Sequence, residues 1–118
     1  MRVERVNAAI LQILAERILT LKDPRIGFVT LTGVRTSADL GHAEIFYTVL
    51  PGDEQSRADA EAGLRSALPL LRHEVASRLR VRRTPDLHFT HDPVPERGRR
   101  IEHLLDATRR DGADDDQQ

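Results

Sequence analysis

The sequence predicts a small α+β domain: a three-stranded sheet with helices packed on it. Three observations predict it. Apolar residues recur with helical spacing over residues 2–21, β-branched runs follow at 27–37 and 42–50 with a four-residue link between them, and a second helical pattern at 56–80 leads into a short alternating stretch at 86–91. Helices and strands are mixed without a regular βαβ alternation, which favours α+β over a doubly wound parallel sheet.

The first helix is read over 2–21, with Val3, Val6, Ile10, Ile13, Leu14 and Leu21 forming its apolar stripe. Arg17 falls inside that stripe and is read as a snorkelling side chain near the helix end. Asp23-Pro24 ends the helix, because proline pushes the residue before it out of the α region. Gly27 to Ser37 reads as a strand, Ala38 to Gly41 as a turn, and His42 to Leu50 as a second strand antiparallel to the first. Ala43, Ile45, Tyr47 and Val49 share one face of the second strand; His42, Glu44, Phe46, Thr48 and Leu50 share the other.

The second helical region runs from Ser56 to about Arg80, with Leu64, Ala67, Leu68, Leu71, Val75 and Leu79 facing the core. Pro69 interrupts it. Proline lacks the N–H of the i→i−4 bond and its ring clashes with the preceding turn, so a kink or two separate helices is expected. Asp86 to His91 reads as the third strand, with Leu87 and Phe89 on one face, and Pro95 to Arg110 as a weaker last helix built on Ile101, Leu104 and Leu105. No repeat or linker interrupts the pattern. The expected organisation is one domain over 1–110 and a disordered acidic tail over 111–118.

Composition narrows the chemistry. With no Trp, one Tyr and three Phe, the core must be aliphatic. Phe28, Phe46, Tyr47 and Phe89 lie in the strand segments, where core packing is expected rather than base stacking. The absence of Cys removes disulfides and thiolate metal sites, and suits a reducing cytoplasm. No stretch approaches the ~20 apolar residues of a membrane span. His88 and His91 are three apart on a strand and so point to opposite faces; His42, His73 and His103 read as surface residues, and no metal is expected. The hydroxyls Ser37, Ser56, Ser66 and Ser77 have no base at a recognisable spacing, there is no glycine-rich phosphate loop, and Asp39 is read as a turn residue. Catalysis, a cofactor and a small-molecule substrate are therefore not expected.

The net charge of −1 conceals an asymmetry. The last eight residues hold four Asp and no base, and residues 72–100 hold eight Arg against four acids. Arg72, Arg78, Arg80, Arg82 and Arg83 cluster where the second helix gives way to the third strand, with Arg99 and Arg100 beyond it and Arg2 and Arg5 at the N-terminus as secondary candidates. Guanidinium is planar, permanently charged and forked to match phosphate oxygens. With few aromatics to stack on bases, the pattern points to RNA held by phosphate and shape. Arg72 and Arg78 flank the apolar stripe on opposite sides, so one of them is a candidate for a packing role. The rival reading is a small α+β dimerisation or ligand-binding regulatory module without RNA affinity, using the open face of the sheet.

Four segments together resemble the bacterial ribosome-binding factor A family: KDPRIGFVTLTGV at 22–34, TSADLGHAEIFYTVL at 36–50, LRHEVASRLRVRRTPDLHFTHD at 71–92 and GRRIEHLL at 98–105. The resemblance covers nearly the whole expected domain and includes the spacing between segments. It implies a KH-like fold of the second type, with helices on one face of a three-stranded sheet. It also implies a non-enzymatic factor that binds the small ribosomal subunit and its rRNA, acts late in assembly, assists processing at the 5′ end of 16S rRNA and supports growth in the cold; the expected protein is a cytoplasmic monomer. The family carries a kink at an Ala-x-Gly motif where ordinary KH modules have a G-x-x-G clamp. Here the matching positions are Ala67, Leu68 and Pro69, with proline in place of glycine. Proline also disrupts a helix but removes the N–H, so a backbone phosphate contact is lost there.

Overall fold

The structure, a computed structural model, describes residues 2–92. The helix expected over 95–110, Arg99, Arg100, His103 and the acidic tail over 111–118 lie outside the described residues.

Helix α1 spans Val3–Leu19 and buries Val6, Ile10, Ile13, Leu14 and Ile18 at helical spacing. It ends earlier than the proline rule suggests. The Thr20 N–H donates to the Arg17 carbonyl (3.0 Å) and the Leu21 N–H to the Ile18 carbonyl (3.1 Å), which closes the last turn. Asp23 instead caps the next element, a short 3₁₀ turn over Pro24–Ile26, by accepting from the Arg25 N–H. Strand β1 is Val29–Thr36 and β2 is His42–Val49. They pair antiparallel, from Val29 opposite Val49 to Thr36 opposite Ala43, with a register shift between Leu31 and Gly33. In the linking turn Leu40 takes a left-handed conformation, φ 61°. That conformation is costly for a side chain with a Cβ, and Leu40 offsets it by packing half-buried against the core.

Helix α2 is one uninterrupted helix, Glu54–Arg78, with Pro69 inside it. Of the two expected outcomes, a kink or two separate helices, the second is therefore excluded. Pro69 is exposed, while Ala60, Leu64, Leu71 and Val75 bury the core-facing side on both flanks. The proline sacrifices the one bond its nitrogen would have made to the Arg65 carbonyl, and apolar contact before and after it carries the helix across. The helix also begins earlier than the apolar pattern indicates, because the Asp53 carboxylate accepts from the Ser56 N–H (2.7 Å) and caps it there.

Strand β3, Asp86–His91, joins the far edge of β2 in parallel, giving the order β1-β2-β3. Both helices cover one face of this sheet, where Ala43, Ile45, Tyr47, Val49 and Leu87 meet the helix stripes in a single aliphatic core. This is the expected KH-like α+β arrangement. Among the described residues no helix covers the sheet's other face. Two expectations about aromatics fail. Phe46 is half-buried on the open face, and Phe28 precedes β1 and is 71% exposed. Strand alternation sends Val29 and Leu31 inward in their place. Tyr47 and Phe89 do pack inward, ring edge to face at 6.4 Å.

Candidate nucleic-acid interface

Helix α2 is capped at its C-terminus by Leu79, whose N–H donates to the Val75 carbonyl (2.8 Å). From there to β3 the chain alternates. Leu79 and Pro85 are buried and Val81 is half-buried, while Arg80, Arg82 and Arg83 are exposed. The apolar residues anchor the connection to the core, so the arginine side chains between them are turned outward. The negative end of the α2 dipole lies here too, and cations near it are favoured.

Pairing separates the candidate arginines. Arg78 is held: its guanidinium reaches Glu16 of α1 (3.0 Å) and Glu74 one turn back (3.7 Å), and Glu74 also meets Arg17 (3.6 Å). Arg17 and Arg78 thus share carboxylates across the α1–α2 contact, which is the packing role foreseen for one of the flanking arginines. Hydrogen bonds from Gln12 and Arg78 keep the Glu16 carboxyl below its usual range. Arg72 makes a looser approach to Asp86 (4.0 Å). Arg83 reaches back over the β1–β2 turn, where its Nη2 lies only 2.8 Å from the place a Cβ on Gly41 would occupy. In that turn Asp39 accepts from Ser37 Oγ (2.7 Å) and from the Gly41 N–H (2.9 Å), the turn role expected of it. These bonds, with a smaller contribution from the Arg83 charge, hold the Asp39 carboxyl low.

Arg80 and Arg82 have no side-chain partner among the described residues, and neither do Arg2 and Arg5 in the first turn of α1. That turn lies towards the same end of the sheet, since Asn7 accepts from Thr36 Oγ1 at the end of β1 (2.5 Å), and the Asp86 N–H bonds the Gly41 carbonyl (2.9 Å). The fold therefore brings Arg2, Arg5, Arg72, Arg80, Arg82 and Arg83 to one end of the molecule. Ala67 and Leu68 are half-buried on α2, one turn or more back from this cluster.

Sequence reasoning missed what the open face carries at the same end. His42 Nδ1 and His88 Nε2 are 3.3 Å apart on neighbouring strands. Arg35 donates to Glu44 (2.8 Å) while its guanidinium lies over the Phe46 ring at 5.8 Å, and Thr90 donates to the other Glu44 oxygen (2.9 Å). The signal was the parallel register that sets Glu44 beside His88, which no local pattern encodes. His88 and His91 do point to opposite faces: His91 turns inward against Tyr47, ring centroids 5.7 Å apart. No group of three or more His, Cys, Asp or Glu suited to a metal occurs among the described residues. No helix among them is long and apolar enough to cross a membrane.

Comparison with known proteins follows the same outline. The family model described as ribosome-binding factor A matches residues 2–105. A protein of that description from Thioalkalivibrio sulfidiphilus is 49% identical over 106 residues, covering 89% of this chain and 81% of the relative. One from Clavibacter michiganensis is 52% identical over 94 residues, covering 80% of this chain, which spans 56% of that longer relative. Among solved structures, the crystal structure of ribosome-binding factor A from Thermus thermophilus superposes with a TM-score of 0.67 at 30% identity, covering 76% of this chain and 94% of that one. A Thermus thermophilus homology model fitted into the cryo-EM map of a complex of that factor with 30S gives a TM-score of 0.64 at 29% identity, covering 79% and 97%.

Proposed function

The chain belongs to the ribosome-binding factor A family, and from that premise we propose that it is a non-catalytic maturation factor of the small ribosomal subunit. It binds the free subunit in the cytoplasm as a monomer and assists late assembly and 5′-end processing of 16S rRNA. The observation that carries this reading is the Leu79–Pro85 connection, whose alternation turns Arg80, Arg82 and Arg83 out of the core. The 30S complex described for the Thermus thermophilus factor supports the choice of subunit.

The mechanism is electrostatic docking. Arg80 and Arg82 meet rRNA phosphates first, because their charge is unspent; Arg83, Arg72, Arg2 and Arg5 follow, and Arg99 and Arg100 extend the cluster along the chain. Arg78 joins only by exchanging Glu16 and Glu74 for phosphate. Phosphate near a helix C-terminus faces an unfavourable dipole, so the guanidinium groups must supply the attraction. Pro69 offers no backbone N–H, which leaves side chains rather than a clamp loop to grip the RNA.

Co-sedimentation with purified small subunits tests this reading. Reversing Arg80, Arg82 and Arg83 to Glu abolishes binding while the fold, read by circular dichroism, is retained, since all three are exposed. Wild-type sedimentation of the triple variant would refute the arginine assignment. Affinity falls by about 0.7 to 0.9 log units per phosphate contact for each tenfold rise in salt; a flat dependence would indicate docking on protein instead.

A further inference from the structure

Leu19, Phe28, Leu50 and Leu70 are the exposed large apolar residues among those described. Two of them stand together. The Leu50 N–H donates to the Phe28 carbonyl (3.2 Å), which sets these side chains, 71% and 72% exposed, at the sheet end remote from the arginine connection. Between them and the first turns of α2 runs a groove of about 220 Å³, lined by Pro24, Arg25, Phe28, Leu50, Pro51 and Asp59. An exposed apolar patch with a polar rim is the usual form of a protein contact.

The charge around the groove selects its occupant. Residues 23–28 and 49–59 frame it and carry Asp23, Asp53, Glu54 and Asp59 against Arg25 and Arg57. Arg25 and Asp23 neutralise each other, since Arg25 donates to both Asp23 oxygens through Nε (2.9 and 3.1 Å) and Nη2 (2.6 Å); that leaves Asp59, which lines the groove, with Asp53 and Glu54 beyond it, against Arg57. Asp23 and Asp53 are held below the usual carboxylate range by their hydrogen bonds to Arg25 and Ser56, so both are anionic at neutral pH. The rim repels RNA phosphate, and a second copy would oppose like charges to like. A Lys- or Arg-rich polypeptide with an apolar side chain fits both properties.

We infer that the Phe28–Leu50 groove docks a basic polypeptide segment carrying an apolar anchor, a protein contact separate from the phosphate contacts of the arginine end. The anchor lies between Phe28, Leu50 and Pro51, and its basic neighbours face Asp59 and Asp53. The inference goes beyond the subunit reading and draws on it only for the source of the partner, a protein of the small subunit.

A photo-reactive benzophenone side chain in place of Phe28 tests it. The labelled chain is bound to purified small subunits, irradiated, and the product mapped by mass spectrometry while co-sedimentation is recorded separately. The expected product joins position 28 to a Lys- or Arg-rich stretch of a subunit protein. The double variant Phe28→Ser, Leu50→Ser, which melts as the wild type does, binds subunits about tenfold more weakly. Cross-linking to rRNA or to a second copy of the chain, or sedimentation without a product, overturns the proposal. Should the wild type fail to sediment, which counts against the arginine reading alone, the labelled chain is exposed to the subunit's proteins freed of RNA. A saturable product mapping to a basic stretch there upholds the proposal, and absence of one overturns it.

Discussion

Gly63 lies in the interior of α2, where glycine ordinarily costs about 1 kcal/mol relative to alanine. A helix this long would gain from Gly63→Ala if local propensity decided the outcome. The packing argues the reverse. A Cβ at position 63 would stand 2.7 Å from Ile26 Cγ2 and 3.1 Å from Arg25 Cβ. Ile26 is 3% exposed and sits in a turn pinned by the Asp23 cap, so neither contact can swing into water. Overpacking costs about 1–3 kcal/mol, and a 2.7 Å contact that cannot move belongs to the upper part of that range, about 2–3 kcal/mol; after the helix gain of about 1 kcal/mol a net loss of about 1–2 kcal/mol remains. In a domain of this size each kcal/mol lowers the melting temperature by roughly 4–8 °C. Thermal melting by circular dichroism should place Gly63→Ala about 5–15 °C below the wild type. A melting temperature equal to or above the wild type would refute the claim that the close approach of α2 to the Pro24–Ile26 turn requires glycine.

Other substitutions separate structural charges from free ones. Arg78→Ala should destabilise by less than about 1 kcal/mol, since its ion pairs are partly exposed, whereas Arg80→Ala should leave urea unfolding unchanged. Equal effects would dissolve the distinction drawn between them. Glu16, Asp23, Asp39 and Asp53 all have carboxyl groups held below their ordinary range. A depressed folded-state value means stabilisation that is complete above the unfolded range, about pH 4. It is lost as pH falls through the folded values. Melting temperatures should therefore be level near neutrality and drop below about pH 4, with a shallower drop in Asp53→Ala; a flat acid limb would contradict the assignments. Gly41→Ala should move the Arg83 guanidinium off the β1–β2 turn at modest cost, because the nearest group is the end of a flexible side chain and Asp39 Oδ1, at 3.2 Å, has to yield only a few tenths of an ångström. An NMR structure with Arg83 still seated on that turn would oppose this.

Local periodicity accounts for what could be read before folding. The 3.6-residue stripe of α1, the alternation of β2 and the clustering of Arg80, Arg82 and Arg83 are properties of neighbouring residues. The boundaries of β3 emerged from that pattern unchanged, at Asp86 and His91. Pro69 shows where the local argument stops. Its missing bond is certain from chemistry, but α2 remains one helix because core contacts on both sides hold it. Phe28 shows the same limit from the other side: aromatic character suggested the core, and the start of β1 one residue later left it outside.

By itself the sequence determined the first helix, the three strands and the helical character of α2, the aliphatic core and the concentration of arginine at the exit of α2. Only the tertiary structure decided which arginines are free. Arg78 is spent on Glu16, 62 residues away, while Arg80 and Arg82 keep no partner among the described residues. It also decided that β3 lies parallel to β2, which sets His42 beside His88, and that Phe28 and Leu50 share an uncovered end. The physical reason is one of range. Helix and strand periods arise from neighbours along the chain, whereas a charge is satisfied, or an apolar side chain covered, by whatever distant segment the packing brings against it.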